Sequence, residues 1–128
     1  MRNANQYWKD ERGSGAAEFA LVVVPFLGLI FAIIGVSMML YANHTLQYAT
    51  EAAARCASVS STTTCNSPAA ITNYALARYS GPNITPVFAA STPACGKRVT
   101  GTGSFQLTTG LVNVAVPLSA SACFPAIQ

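Results

Sequence analysis

The polarity of the chain changes abruptly at Glu18. From Phe19 through Thr50 there is no Asp, Glu, Lys or Arg, and residues 19 to about 40 are mostly Val, Leu, Ile, Phe, Ala and Gly. About 20 apolar residues cross a bilayer as a helix, so this run predicts a transmembrane span. Pro25 lies inside it, where the expected effect is a mild kink, since prolines are tolerated in membrane helices when neighbours satisfy the freed carbonyl. A cleaved secretory signal is the competing reading. It needs an apolar stretch of about 7–15 residues and a small-residue cut site. The run here is longer, and Ala42-Asn43-His44 is a poor cut site.

Beyond the run, residues 41–58 are rich in alanine and contain no Gly or Pro, which favours continued helix. Leu46, Ala49, Ala53 and Cys56 fall on one stripe, the expected core face. Glu51 and Arg55 stand at i, i+4 in the preferred order for a helical ion pair. The pattern predicts one helix from about 15 to 58, roughly 65 Å long at 1.5 Å per residue. That is about twice the hydrocarbon thickness of a bilayer.

The remainder reads as a short helix and then strands. Ser67-Pro68 supplies an N-cap followed by Pro at the first helical position, with helical spacing through about Tyr79, and Gly81-Pro82 ends it. Extended stretches follow at 84–90, 97–108 and 111–118. Thr109-Gly110 suits a tight hairpin between the last two. Gly101 and Gly103 suggest a bulge or a flexible turn within a strand. The predicted class is α+β: a long membrane helix continuing into a small exported domain, 59–128, with a short helix and an antiparallel sheet.

Composition sharpens this picture. Charged residues make up 9% of the 128 residues, against about a quarter in soluble domains. Residues 56–128 carry only Arg78, Lys97 and Arg98. Arg2, Lys9 and Arg12 precede the run, and no Lys or Arg follows it until Arg55. The positive-inside rule then places the N-terminus in the cytoplasm and the C-terminal part outside. Cys56, Cys65, Cys95 and Cys123 all lie on that outer side, which reads as two disulfides. Three connectivities are open; Cys56–Cys65 with Cys95–Cys123 is favoured because each pair brackets a compact segment. With no C-x-x-C pair and His44 as the only histidine, neither a zinc site nor any other cofactor is expected. A net charge of +3, scattered along the chain, gives no reason to expect nucleic-acid binding. No Ser/His/Asp set, phosphate loop or metal cluster is present, so an enzyme is not expected.

The chemically notable residue is Glu18. A carboxylate beside a span is a functional-site candidate whose partner must be found. Cleavage after Gly13 would free an amino group on Ser14, one helical turn before Glu18. The bland alternative is an acid at the helix N-terminus, favoured by the helix dipole. Likewise, Gly13-Ser14-Gly15 also reads as a flexible juxtamembrane linker, and Phe19 as an ordinary interfacial aromatic.

The segment Glu-Arg-Gly-Ser-Gly-Ala-Ala-Glu-Phe-Ala-Leu-Val at 11–22, the long apolar run and the exit sequence through Arg55 resemble the TadE-like proteins. These are pseudopilins or minor pilins of the tight-adherence (Tad) pilus apparatus, related to type IV pili and type II secretion. The resemblance implies a cytoplasmic leader at 1–13, cleavage between Gly13 and Ser14 by a prepilin peptidase, and Glu18 and Phe19 as assembly and recognition residues. It implies a structural subunit in pilus assembly, adhesion or biofilm formation. Its partners would be other pilins, an inner-membrane assembly platform and the lipid bilayer. The location would be a bacterial inner membrane, or a pilus after assembly. The rival is an uncleaved single-pass protein that displays a small periplasmic binding or scaffold domain. A domain released by signal peptidase is a third reading.

Overall fold

The structure, a computed structural model, describes residues 14–59, 63–108 and 113–126. It is α+β. Helix α1 spans Ser14–Ser58, a 3₁₀ turn spans Thr63–Cys65, and helix α2 spans Pro68–Arg78. Strands β1 (Val87–Ser91), β2 (Lys97–Thr108) and β3 (Asn113–Phe124) follow. The chain divides into two compact units between Ile34 and Gly35. In the first, residues 14–34 are helix throughout, and the helix runs through Pro25 without a break.

The second unit is built on a three-stranded antiparallel sheet in the order β1-β2-β3. Side chains alternate across a strand, so Phe88 and Ala90, Val99 and Phe105, and Leu118, Ala120 and Ala122 share one face. This face joins the core with Ala42, Leu46, Ala49, Ala53, Ala54 and Ala57 of α1. The stripe predicted on α1 is therefore its packing face, with Cys56 half-buried at its margin. The stripe is wider than the pattern showed, because Thr50 is also buried, at 1% exposure. Its hydroxyl donates to the Leu46 carbonyl at 2.7 Å, which satisfies the polar group inside the core.

Gly101 and Gly103 are not a bulge. The β2–β3 pairing runs through both in unbroken register. A Cβ on Gly101 would lie 2.8 Å from Thr50 Oγ1 and 2.7 Å from Phe88 Cε1, and one on Gly103 would lie 2.6 Å from Ile84 Cδ1. These glycines leave room against the sheet for the Thr50 and Phe88 side chains and for Ile84. Gly96 serves differently: at φ 120° it occupies a region that side chains avoid. It closes the turn in which its N–H donates to Pro93 O at 3.0 Å.

Helix α2 begins as expected. Ser67 caps it, its hydroxyl accepting from the Ala70 N–H at 3.2 Å, with Pro68 next. It ends at Arg78, and the Tyr79 N–H caps the Ala75 and Leu76 carbonyls. The Tyr79 hydroxyl donates to Pro82 O, and Tyr41 of α1 donates to Ser80 O at 3.3 Å. Burial raises the Tyr79 pKa above its ordinary value, so this phenol stays a neutral donor. β1 begins three residues later than the sequence pattern suggests. Thr85, at φ 47°, bends the chain and leaves the buried Ile84 outside the strand. β3 continues six residues past the expected end at Leu118, to Phe124. Pro117 is accommodated because β3 is an edge strand, where a missing N–H costs no ladder bond. The hairpin expected at Thr109-Gly110 lies outside the described residues.

Two disulfides close the unit. Cys56–Cys65 ties the end of α1 to the 3₁₀ turn, and Cys95–Cys123 ties the β1–β2 connection to the end of β3. Among the described residues, the largest fully buried side chains are Leu46, Ile84, Val99 and Thr50. Each cross-link can add about 2–4 kcal/mol by restricting the unfolded chain, a large share for so thin a core.

Replacing Gly101 with Val should lower stability by about 1–3 kcal/mol through overpacking. Replacing Thr102 with Val, on the opposite face and exposed, should change it by less than about 0.5 kcal/mol. Denaturant midpoints of the full chain in detergent micelles would measure both.

Candidate functional site

The first described residue, Ser14, opens α1. Gly13, and with it the bond proposed for cleavage, lies outside the described residues. Glu18 stands one turn into the helix and is exposed. Ser14 stands four positions before Glu18 in the same helix. Phe19 follows at 70% exposure.

The chemistry of this segment is set by what is left uncovered. Leu21 is 77% exposed, Val24 70%, Phe31 66% and Ile33 58%. Leaving such a side chain in water rather than burying it forgoes about 1.5–3 kcal/mol. A helical surface with this many exposed apolar groups requires lipid or other protein around it. By length and composition the helix is able to cross a membrane. A backbone with all its hydrogen bonds inside the segment is the form that lipid accepts.

Residues 13–55 match the family model described as TadE-like protein. The matched segment begins at the glycine of the proposed cleavage bond, contains Ser14, Glu18, Phe19 and the apolar run, and ends at Arg55. It stops short of the 3₁₀ turn, α2 and the sheet. The likeness therefore speaks for the helix. No curated protein and no solved structure matches the chain.

Two contacts beyond the apolar run were not drawn from the sequence. The Arg55 guanidinium lies over the Phe124 ring, 5.3 Å from its centroid, and Arg78 lies over Tyr74 at 4.9 Å. The Glu51–Arg55 pair expected from the i, i+4 spacing is replaced by the first of these. Phe124 is 69 positions from Arg55, so no local pattern joins them; tertiary folding brings the ring within reach. Tyr74 and Arg78 are four apart on α2, a spacing that does carry a helical-neighbour signal. Among the described residues, no group of three or more His, Cys, Asp or Glu stands together as a metal site.

An acid placed among the exposed apolar residues should weaken membrane retention. Leu29→Asp, at a position 57% exposed, introduces a cost of roughly 2.5–3.5 kcal/mol at a helix centre. The expected result is a larger fraction released by alkaline carbonate extraction, compared with Leu29→Ile.

Proposed function

We propose that this chain is a pseudopilin or minor pilin subunit of a Tad-type pilus or secretion apparatus, with no reaction of its own. The single observation that carries the reading is the coincidence of two features. The match to TadE-like proteins begins at Gly13, and the helix that follows leaves its apolar side chains exposed. In this reading residues 1–13 are a cytoplasmic leader. A prepilin peptidase of the inner membrane cuts between Gly13 and Ser14. The mature chain keeps its N-terminus toward the cytoplasm and carries the disulfide-bonded body in the periplasm.

Physical chemistry gives each residue its part. Gly13 has no side chain, so a protease can approach its backbone closely. After cleavage Ser14 carries a positive amine near the membrane surface. Glu18, one turn away, can neutralise that amine on its own subunit or on a neighbour. Pairing with a neighbour sets the register between two helices, because an unpaired acid beside lipid is costly. Lipid covers the apolar helix before assembly, and other pilins cover it afterwards. The assembly platform at the inner membrane would move the subunit from the first environment to the second.

Intact mass of the membrane-fraction protein, with and without active prepilin peptidase, tests the reading. The expected result is a peptidase-dependent chain beginning at Ser14. A chain beginning at Met1 in both samples would replace it with the static-anchor reading. Glu18→Gln should leave processing intact yet reduce the amount of subunit recovered in sheared pili by about tenfold. That corresponds to about 1.4 kcal/mol of lost charge pairing.

A further inference from the structure

The surface of α1 opposite the sheet carries a second feature. Tyr48, Ala52 and Arg55 recur at i, i+4 and i+7 and so share one face. With Tyr74 and Arg78 of α2 they flank an open groove of about 440 Å³. Tyr48 is 58% exposed, and both arginines are exposed. Each guanidinium lies over a ring, Arg55 over Phe124 at 5.3 Å and Arg78 over Tyr74 at 4.9 Å from the centroid. The cation–π contact holds each cation near its ring, and a guanidinium has five N–H donors with which to meet an acceptor. Among the described residues, neither guanidinium has a carboxylate partner.

Charge decides what fits there. Residues 35–126 hold four cations, Arg55, Arg78, Lys97 and Arg98, and a single carboxylate, Glu51. A second copy of this body would bring cations to cations, and its one carboxylate could not serve two arginines. Exposed tyrosine and arginine are the residue types most enriched where proteins meet.

We propose that this groove docks a different protein subunit, which places a carboxylate-bearing segment between Arg55 and Arg78. The proposal rests on the assembly reading and names the chemistry of the partner: an acidic surface on another chain, packed against Tyr48. Each guanidinium receives a carboxylate through charge-assisted hydrogen bonds. The apolar floor at Ala52 accepts the stem of the acidic side chain.

The test uses the full chain in cells that carry its peptidase and pilus components. A photoreactive benzoylphenylalanine replaces Tyr48, and the cross-linked peptide is sequenced. The expected adduct joins this chain to a different subunit at a segment bearing at least two Asp or Glu. Its yield should fall about tenfold in Arg78→Glu and recover when the partner's acids are changed to Lys. Arg55→Glu should behave alike. Because Arg55 also packs on Phe124, Arg78→Glu is the deciding variant, with formation of both disulfides as the check on folding. An adduct between two copies, an adduct at a segment without acids, a yield indifferent to charge reversal, or no protein adduct would each overturn the proposal. The mass of the same chain separates this failure from that of the assembly reading. A chain beginning at Ser14 without the adduct removes only the groove proposal, whereas one beginning at Met1 removes the assembly reading.

Discussion

The second unit depends on how closely α1 approaches the sheet. Ala42, Ala49, Ala53 and Ala54 are fully buried on the helix, and Gly101 stands opposite Thr50 with no room for a Cβ. Small residues on both sides leave room for Thr50 and Phe88 against the strand at Gly101 and let a few larger side chains, Leu46, Ile84 and Val99, fill what space remains. A core of this kind buries little apolar area per residue, and its packing is sensitive to single methyl groups. That is the physical reason the unit uses two cross-links. One closes the end of α1 onto the 3₁₀ turn, and the other closes the sheet's far edge onto the β1–β2 connection.

One helix therefore satisfies two different demands along its length. From Ala42 to Ala57 its inward face is shaped for a sheet. Earlier, around Phe19 to Ile34, large apolar side chains stand uncovered, as lipid or neighbouring helices require. Dispersion and lipid solvation can accept that surface; water cannot do so cheaply. On the proposed assembly reading, the subunit leaves a bilayer for a fibre and needs such interchangeable surroundings. On the proposed docking reading, Arg55 farther along α1 and Arg78 of α2 add specificity through charge, which apolar surfaces lack.

Much of this architecture was legible in the residue pattern because its signals are local. The apolar run before Tyr41, the alanine-rich continuation, the Ser67-Pro68 cap and the bracketing cysteines each report on a few neighbouring positions. The helix α1, the start of α2 and the pairing of the disulfides follow from them. The reach of β3 to Phe124 was not legible, since Ser119, Ala120, Ser121 and Ala122 alternate too weakly in hydrophobicity to mark a strand. Pairing with β2 supplies the ladder that this stretch lacks in propensity. Gly101 and Gly103 looked like a break because a glycine's purpose lies in what comes near it, and Thr50, Phe88 and Ile84 are distant in sequence.

The candidate site divides in the same way. Gly13, Ser14, Glu18 and Phe19 could be singled out from sequence alone, because the mark of the site is a charge at the border of an uncharged run. Arg55 could not be placed so. Spacing pointed it toward Glu51, and the fold turned it to Phe124. By itself the sequence determined the long helix, the change of solvent along it and the residues at its border, since each depends on hydrophobicity and helical period within a short window. Only the tertiary structure decided how close the helix lies to the sheet, which polar groups are buried, and which rings hold the arginines. Those depend on the meeting of side chains tens of residues apart, where packing outweighs any local preference.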